Sequence, residues 1–328
     1  MRQIAVIAGV SKSTVSNVLT NPQVVAEATR LRVERAMEQL GYVPNGAARQ
    51  LRGGPRQIAG CMLIDVSNPY FAEVARGAED RLAEAGMMMF LCSTDVELSR
   101  QEHYLRMLEE QGVRGVLVWP LDLDLTPLVQ VQRRGTPLIL MGRSGEGLDM
   151  CTVDVDDGEG GRLAAEHVIA LGHRRLVYVC GAGLTLDRRR QELRRTAETA
   201  VPSVHLTEIE IPPRADVTQI DDAVETLVSL EPRPTAVLCF NDQTAVSVLH
   251  ALRRRGIRVP DDISLVGYDD LPFAAVLSPP LTTIRQPGYE LGRVAAEQLL
   301  AEGSPDHRHQ GTRFPVELVV RASTSPVR

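Results

Sequence analysis

From Ile58 onward the chain repeats one pattern: a short apolar run, an amphipathic stretch with helical spacing, then another apolar run. "IAGCMLIDV" is followed by "FAEVARGAEDRLAEAG", "MMMFLCST" by "QEHYLRMLEEQG", and "GVLVWP" by "LVQVQRRG" and "PLILMG". "CTVDVDDGEGGRLAAEHVIALG" turns a strand into a helix, and "RLVYVCG", "TAVLCFND" and "SLVGYDD" continue the series. Short, continuously apolar runs read as strands buried on both faces. Their alternation with helices over about 260 residues argues for parallel sheets covered on both sides. One core rarely grows past about 250–300 residues. Several such units therefore imply two doubly wound lobes, with a ligand cleft outside the C-terminal ends of the strands.

The first 57 residues do not share this texture. Ile4, Ala5, Val6, Ile7 and Ala8 form a short apolar helical pattern, Gly9 interrupts it, and "SKSTVSNVL" resumes it through Val15, Val18 and Leu19. Two short helices joined by a tight turn containing glycine make a helix-turn-helix. Gly9 suits a turn residue with positive φ, Val10, Val15 and Val18 would plug the space between helices, and Ser11 can cap the second helix. Lys12, Ser13, Thr14, Ser16 and Asn17 are then left facing outward, a set able to reach phosphates and base edges. A third amphipathic helix follows in "ATRLRVERAMEQLGY", with Leu31, Val33, Met37 and Leu40 expected inward.

Charge separates the same two regions. Residues 1–56 carry eight Lys/Arg against three acids, a balance of +5, which leaves −11 for the rest of a chain of net charge −6. A basic head on an acidic body suits a nucleic-acid-binding module attached to a regulatory domain. No stretch approaches the roughly 20 apolar residues needed to span a bilayer, and "MRQIAVIAG" is no signal peptide. The five cysteines are isolated and mostly set in apolar runs, as expected of reduced thiols in a cytoplasmic protein.

The order "AGVSKSTVSNVL", "TRLRV", "LGYVPNGAARQL" resembles the headpiece and hinge helix of the lactose/galactose repressor (LacI/GalR) family of bacterial transcription regulators. "VPDDISLVGYDDLPFAAVLSPPLTTIRQP" and the final strand "FPVELVVRAST" extend the likeness across almost the whole chain. It implies an all-α headpiece over residues 1–44, a hinge helix and linker over 45–57, and a two-lobed periplasmic-binding-protein-like body over 58–328. It also implies that Lys12, Ser13 and Asn17 face bases and that Thr14, Ser16 and Asn45 help hold phosphates. Ser11 and Thr29 would support the same DNA contact. The hinge, with Ala48, would place Leu51 as a wedge in the minor groove. The chain departs from the family in three ways. Ala26 occupies the usual serine cap of the third helix, Asn17 changes the operator letter read, and the residues that usually precede the first helix are missing, which raises the expectation of an upstream start.

At the strand ends, "DVSNPYF" offers Tyr70 and Phe71, "GVLVW" offers Trp119, "AVLCFND" offers Asn241 and "LVGYDD" offers Asp269. Carboxylate and amide groups beside aromatic faces suit a sugar-like or nucleoside-like effector. In the arginine-rich "LDRRRQELRR", the resemblance assigns the ligand-contacting role to Arg188, with Arg190 as a rival. Trp119 fits a core position as well as ligand stacking. Gly142 stands where relatives often carry an aspartate, which puts a hexose in doubt.

Other chemistries find little support. "GAGLTL" lacks the third glycine of a dinucleotide fingerprint, and "DGEGG" reads as a loop entering a helix. No serine elbow, P-loop, HExxH or cysteine-pair motif is present. His307 and His309 flank Arg308, but two ligands without a third are weak evidence for a metal. The expectation is therefore a non-enzymatic, cofactor-free regulator, most simply a repressor. It would bind a near-palindromic double-stranded operator as a homodimer, since no heptad helix follows the last strand. The competing reading is a DNA-binding protein whose body only dimerises.

Overall fold

The computed structural model describes residues 1–43, 56–145, 147–181 and 188–327. They fall into two compact units, Met1–Gln57 and Ile58–Arg328. Asn45, Ala48 and Leu51 lie outside the described residues.

The first unit is all helical: α1 (Arg2–Ala8), α2 (Lys12–Thr20), a 3₁₀ turn at Pro22–Val24, and α3 (Glu27–Gln39). Gly9 ends α1 at φ 62°, where a side chain would be strained. Ser11 caps α2, its hydroxyl accepting from the Thr14 N–H at 3.0 Å. Ala26 at the start of α3 makes no side-chain cap. Ile4, Ala5, Ala8, Val15, Val18, Val33 and Ala36 form the core, with Val10 and Met37 packed against it. Leu31 and Leu40, expected inward, are 41% and 39% exposed. Helical phase explains the first, because Leu31 lies about 200° around the axis from Val33. Leu40 is the C-cap residue, beyond the last turn.

The second unit has two lobes. The first contains a six-stranded parallel sheet in the order β11-β5-β4-β3-β1-β2. Its strands are β1 (Ile58–Leu63), β2 (Met88–Ser93), β3 (Val116–Val118), β4 (Leu138–Met141), β5 (Cys151–Val155) and β11 (Gly311–Phe314). Helices α4 (Pro69–Glu84), α5 (Leu98–Glu110), α6 (Thr126–Arg133) and α11 (Gly288–Ala301) cover it. Alternate residues feed opposite cores, Ala59, Cys61 and Leu63 of β1 to one face and Met62 to the other. On the first face α4 and α11 pack backbone to backbone. A Cβ on Gly77 would come within 1.9 Å of the Tyr289 carbonyl, and one on Gly292 within 1.9 Å of the Val74 carbonyl.

The second lobe holds the parallel sheet β7-β6-β8-β9, built from β6 (Arg175–Gly181), β7 (His205–Ile211), β8 (Ala236–Cys239) and β9 (Ser264–Val266). Helices α7 (Asp157–Ala170), α8 (Arg188–Thr199), α9 (Val217–Ser229) and α10 (Asp242–Arg254) flank it. Val177 and Val179 enter one core, Leu176, Tyr178 and Cys180 the other. A small antiparallel pair joins β10 (Thr283–Arg285) to β12 (Glu317–Val319).

The chain passes between the sheets after β5, after β10 and between β11 and β12. The stretch "FPVELVVRAST", expected as a single last strand, is therefore divided: Phe314 ends β11 in the first lobe and Glu317 opens β12. Among the described residues no helix is long and apolar enough to cross a membrane.

Candidate functional site

Two surfaces carry the chemistry anticipated from the sequence. On α2, Val15 and Val18 are buried, which turns Lys12, Ser13 and Asn17 to solvent and leaves Thr14 and Ser16 half-buried. The Ser11 hydroxyl lies 2.7 Å from the Ser13 hydroxyl and 2.8 Å from that of Thr14. This links the polar row at the helix start. Thr29 is half-buried in the first turns of α3.

The second surface is a cleft of about 1210 Å³, open mouth included, between the lobes at the C-terminal ends of their strands. Tyr70, Phe71, Trp119, Asn241 and Asp269 all line it. Tyr70 and Phe71 enter through the first turn of α4, which Pro69 and the Asn68 cap fix in place. With Trp119 they form an edge-to-face wall, with ring centroids 5.1 Å apart for Phe71–Trp119 and 5.4 Å for Tyr70–Phe71. Burial first, then the Asp269 and Asp157 charges, hold the Tyr70 phenol well above its ordinary pKa, so it stays a hydroxyl donor. That hydroxyl is buried and has no hydrogen-bond partner among the described residues. Orphaned buried donors are rare enough to need a reason.

Gly142 is explained by the same wall. Its φ is 68°, and a Cβ there would stand 2.1 Å from the Trp119 indole. The ring occupies the space an aspartate would need.

Asp269 faces the wall from the other lobe at φ 108°. Its carboxylate accepts from the Asn68 amide at 3.2 Å and the Gln286 amide at 2.6 Å. Burial pushes its pKa up to about 8, against the opposing Arg189 charge. Asn68 serves twice, since its carbonyl caps α4 through the Tyr70 N–H at 3.0 Å while its amide crosses the cleft. Asn241 caps α10 through the Thr244 N–H at 2.8 Å. Neighbouring carboxylates are already engaged. Asp242 accepts from the Thr283 hydroxyl at 2.7 Å and the Leu271 N–H at 2.8 Å, and burial lifts its pKa to about 7. Asp270 pairs with Arg285 and Arg321.

The arginine assignment needs correction. Neither Arg188 nor Arg190 lines the cleft; Arg189 does. Arg188 is exposed and donates to the Ser144 hydroxyl at 2.8 Å, and Arg190 pairs with Glu208 and Glu210. Arg189 lies 3.1 Å from the centre of the Tyr268 ring, pairs with Asp157 at 2.8 Å and donates to the Phe240 carbonyl. Helical phase accounts for this: Leu193 and Ala197 are the buried residues of α8, and Arg189 precedes them by four and eight positions. Asn68, Asp157 and Gln286 were also missed, although each sits in a stretch already recognised as a strand end or family motif.

Besides Asn68–Asp269 and Arg188–Ser144, two further contacts join the lobes beside the cleft. Gln243 donates to the Ser67 carbonyl at 3.0 Å, and Arg214 pairs with Asp95 at 3.2 Å.

The sequence matches the lacI family of bacterial regulatory proteins over residues 1–45 and a periplasmic binding protein-like domain over residues 165–324. It is 35% identical to the HTH-type transcriptional repressor PurR of Aliivibrio salmonicida, covering 98% of each chain. The fold is similar to that of the Lac repressor dimer bound to operator and the anti-inducer ONPF, with TM-score 0.80, 28% identity and 98% of each chain covered. It is also similar to a LacI family transcriptional regulator from Enterococcus faecium with bound ribose, at TM-score 0.73 and 28% identity over 83% of this chain and 100% of that one. Fold, helix-turn-helix and relatives agree: the chain belongs to the lacI family of bacterial regulatory proteins and is a DNA-binding transcription regulator, not an enzyme.

Proposed function

We propose that the protein is a cytoplasmic, dimeric repressor that reads a near-palindromic operator and answers to a small polar effector held between its lobes. Lys12, Ser13 and Asn17 read base edges, and Thr14, Ser16 and Asn45 hold phosphates. Ser11 and Thr29 support that contact, and Leu51, with Ala48, wedges the minor groove between the heads. Two-fold symmetry would set the recognition helices about 34–36 Å apart on successive major-groove faces.

One observation carries the effector half of this reading. The cleft joins an orphaned buried hydroxyl on one lobe to a buried carboxylate on the other. A ring with hydroxyl or amine edges and an apolar face, sugar-like or nucleoside-like, would accept from Tyr70, donate to Asp269 and lie against Phe71 and Trp119. Because these groups sit on opposite lobes, such a ligand binds the closed arrangement better than an open one. Only that inequality can move DNA affinity.

The test is a panel of polar metabolites scored by melting temperature, with Tyr70→Phe beside the wild type. A ligand of the native state must raise the transition. We expect a hit whose affinity falls about tenfold in Tyr70→Phe, while the unliganded melting temperature holds or rises, since the lost hydroxyl had no partner. A hit that binds Tyr70→Phe unchanged removes the tyrosine from the site. No hit from a broad panel favours a body that only dimerises.

A further inference from the structure

Outside the cleft lining, four potential metal ligands meet at the edge of the first lobe. The sequence offered only His307 and His309. The fold adds Cys151, 156 and 158 residues distant from them, and Glu302. Cys151 opens β5 and is fully buried, and Glu302 is the C-cap residue of α11. The loop from α11 to β11 carries both histidines. The register Gly311↔Thr152 and the bond from the Thr152 N–H to the Gln310 carbonyl bring that loop beside Cys151.

We infer that Cys151, Glu302, His307 and His309 form a tetrahedral site for one divalent transition-metal ion of the zinc class. The four donor atoms all lie within 4.8 Å of one another. Cys151 Sγ is 3.4 Å from His307 Nε2 and 3.7 Å from His309 Nδ1. Glu302 Oε1 is 3.1 Å and 3.3 Å from the same two nitrogens. A tetrahedral ion with bonds of about 2.0–2.1 Å to nitrogen or oxygen and about 2.3 Å to sulfur has N···O edges of about 3.3–3.4 Å and S···N edges of about 3.5–3.6 Å. The two S···N separations bracket their value, and the two N···O separations lie at or just below theirs.

Hydrogen bonding alone does not explain the cluster. The Glu302 side chain is nine-tenths buried, with a relative exposure of 10%. Neither ring nitrogen makes a hydrogen bond of good geometry to its Oε1, although both stand at bonding distance. The nitrogens therefore approach the oxygen without aiming at it, as ligands do when they converge on a common point. A thiolate and a carboxylate would neutralise a dication, and two neutral imidazoles complete the set. His309 turns its other nitrogen toward the exposed Asp149 carboxylate, at 3.6 Å too far for a hydrogen bond. The ion would tie the end of α11 and the loop after it to β5, the strand next to the sheet edge, from which the chain crosses to the other lobe.

The test uses the full chain stripped of metal and titrated with Co(II), then with Zn(II). We expect one equivalent of Co(II) to give visible bands of tetrahedral intensity and a near-ultraviolet thiolate-to-metal charge-transfer band, both displaced by Zn(II). Cys151→Ser should abolish the charge-transfer band and Cys239→Ser should leave it. His307→Gln, a change in the loop, should weaken affinity by more than about tenfold and keeps the test valid if Cys151→Ser fails to fold. Absence of the charge-transfer band at one equivalent, its persistence in Cys151→Ser, or unchanged affinity in His307→Gln overturns the site.

Discussion

The headpiece and the body use opposite strategies. The headpiece rests on a core of seven small or medium side chains, and every group assigned to DNA among its described residues is exposed or half-buried. The body has two layered cores in each lobe and buries groups proposed to hold an effector, with Asp269 buried at a raised pKa and Tyr70 only 3% exposed. DNA presents its charge to any surface that approaches, so a recognition helix needs little depth. A small neutral or weakly charged ligand must be enclosed to be recognised, and enclosure imposes desolvation on the protein's own polar groups. The headpiece therefore has little stability to spare, while the body expends stability on its site.

The largest effect expected from this contrast comes from Val15→Asp. It buries an unpaired charge in a core too small to absorb several kcal/mol. Operator binding should disappear in a gel-shift assay, while the main calorimetric transition of the body stays within a degree or two. A collapse of both transitions would show that the two units do not fold separately.

Next comes the pH dependence of the body. Asp269 and Asp242 have folded pKa values of about 8 and about 7, against ordinary values of 3.8. The folded state therefore holds protons that the unfolded chain has released, so stability falls as pH rises from about 4 to about 8. Asp269→Asn should flatten this slope by up to one proton, about 1.4 kcal/mol per pH unit. Denaturant titrations at several pH values would check it, and an unchanged slope would place the buried proton elsewhere. The same variant should lose effector affinity.

The smallest effect is Ala26→Ser. Adding a side-chain acceptor at the bare N-cap of α3 should stabilise the headpiece by about 1 kcal/mol, read from its own melting transition. The body should not respond.

Much of this was legible in the sequence, for identifiable reasons. Strands such as β1 and β6 declared themselves because burial on both faces requires uninterrupted apolar runs. β7 did not: "HLTEIEI" is an edge strand that mixes polar with apolar residues, Glu208 being engaged by Arg190 and Arg194 of α8, and it passed unrecognised between two clear neighbours. Strand ends pointed to Tyr70, Phe71, Trp119, Asn241 and Asp269 because a parallel sheet exposes its chemistry there. The choice lay between Arg188 and Arg190 and passed over Arg189, since family likeness fixes the motif but only the phase set by Leu193 and Ala197 turns Arg189 into the cleft. Leu31 was misjudged for a related reason, being apolar yet out of phase with Val33. Of the Cys151–Glu302–His307–His309 cluster only the two histidines could be read, because its members come from three elements brought together by one strand register.

The most direct test of the account is a selection from random double-stranded DNA with the purified full chain, followed by a salt titration of the best site. The account predicts an enriched near-palindrome bound at least about 10³-fold more tightly than random DNA. Lys12→Ala and Asn17→Ala should relax the preference at single positions of each half-site. Binding that is steeply salt-dependent but shows no sequence preference, with and without a metabolite mixture, would contradict it.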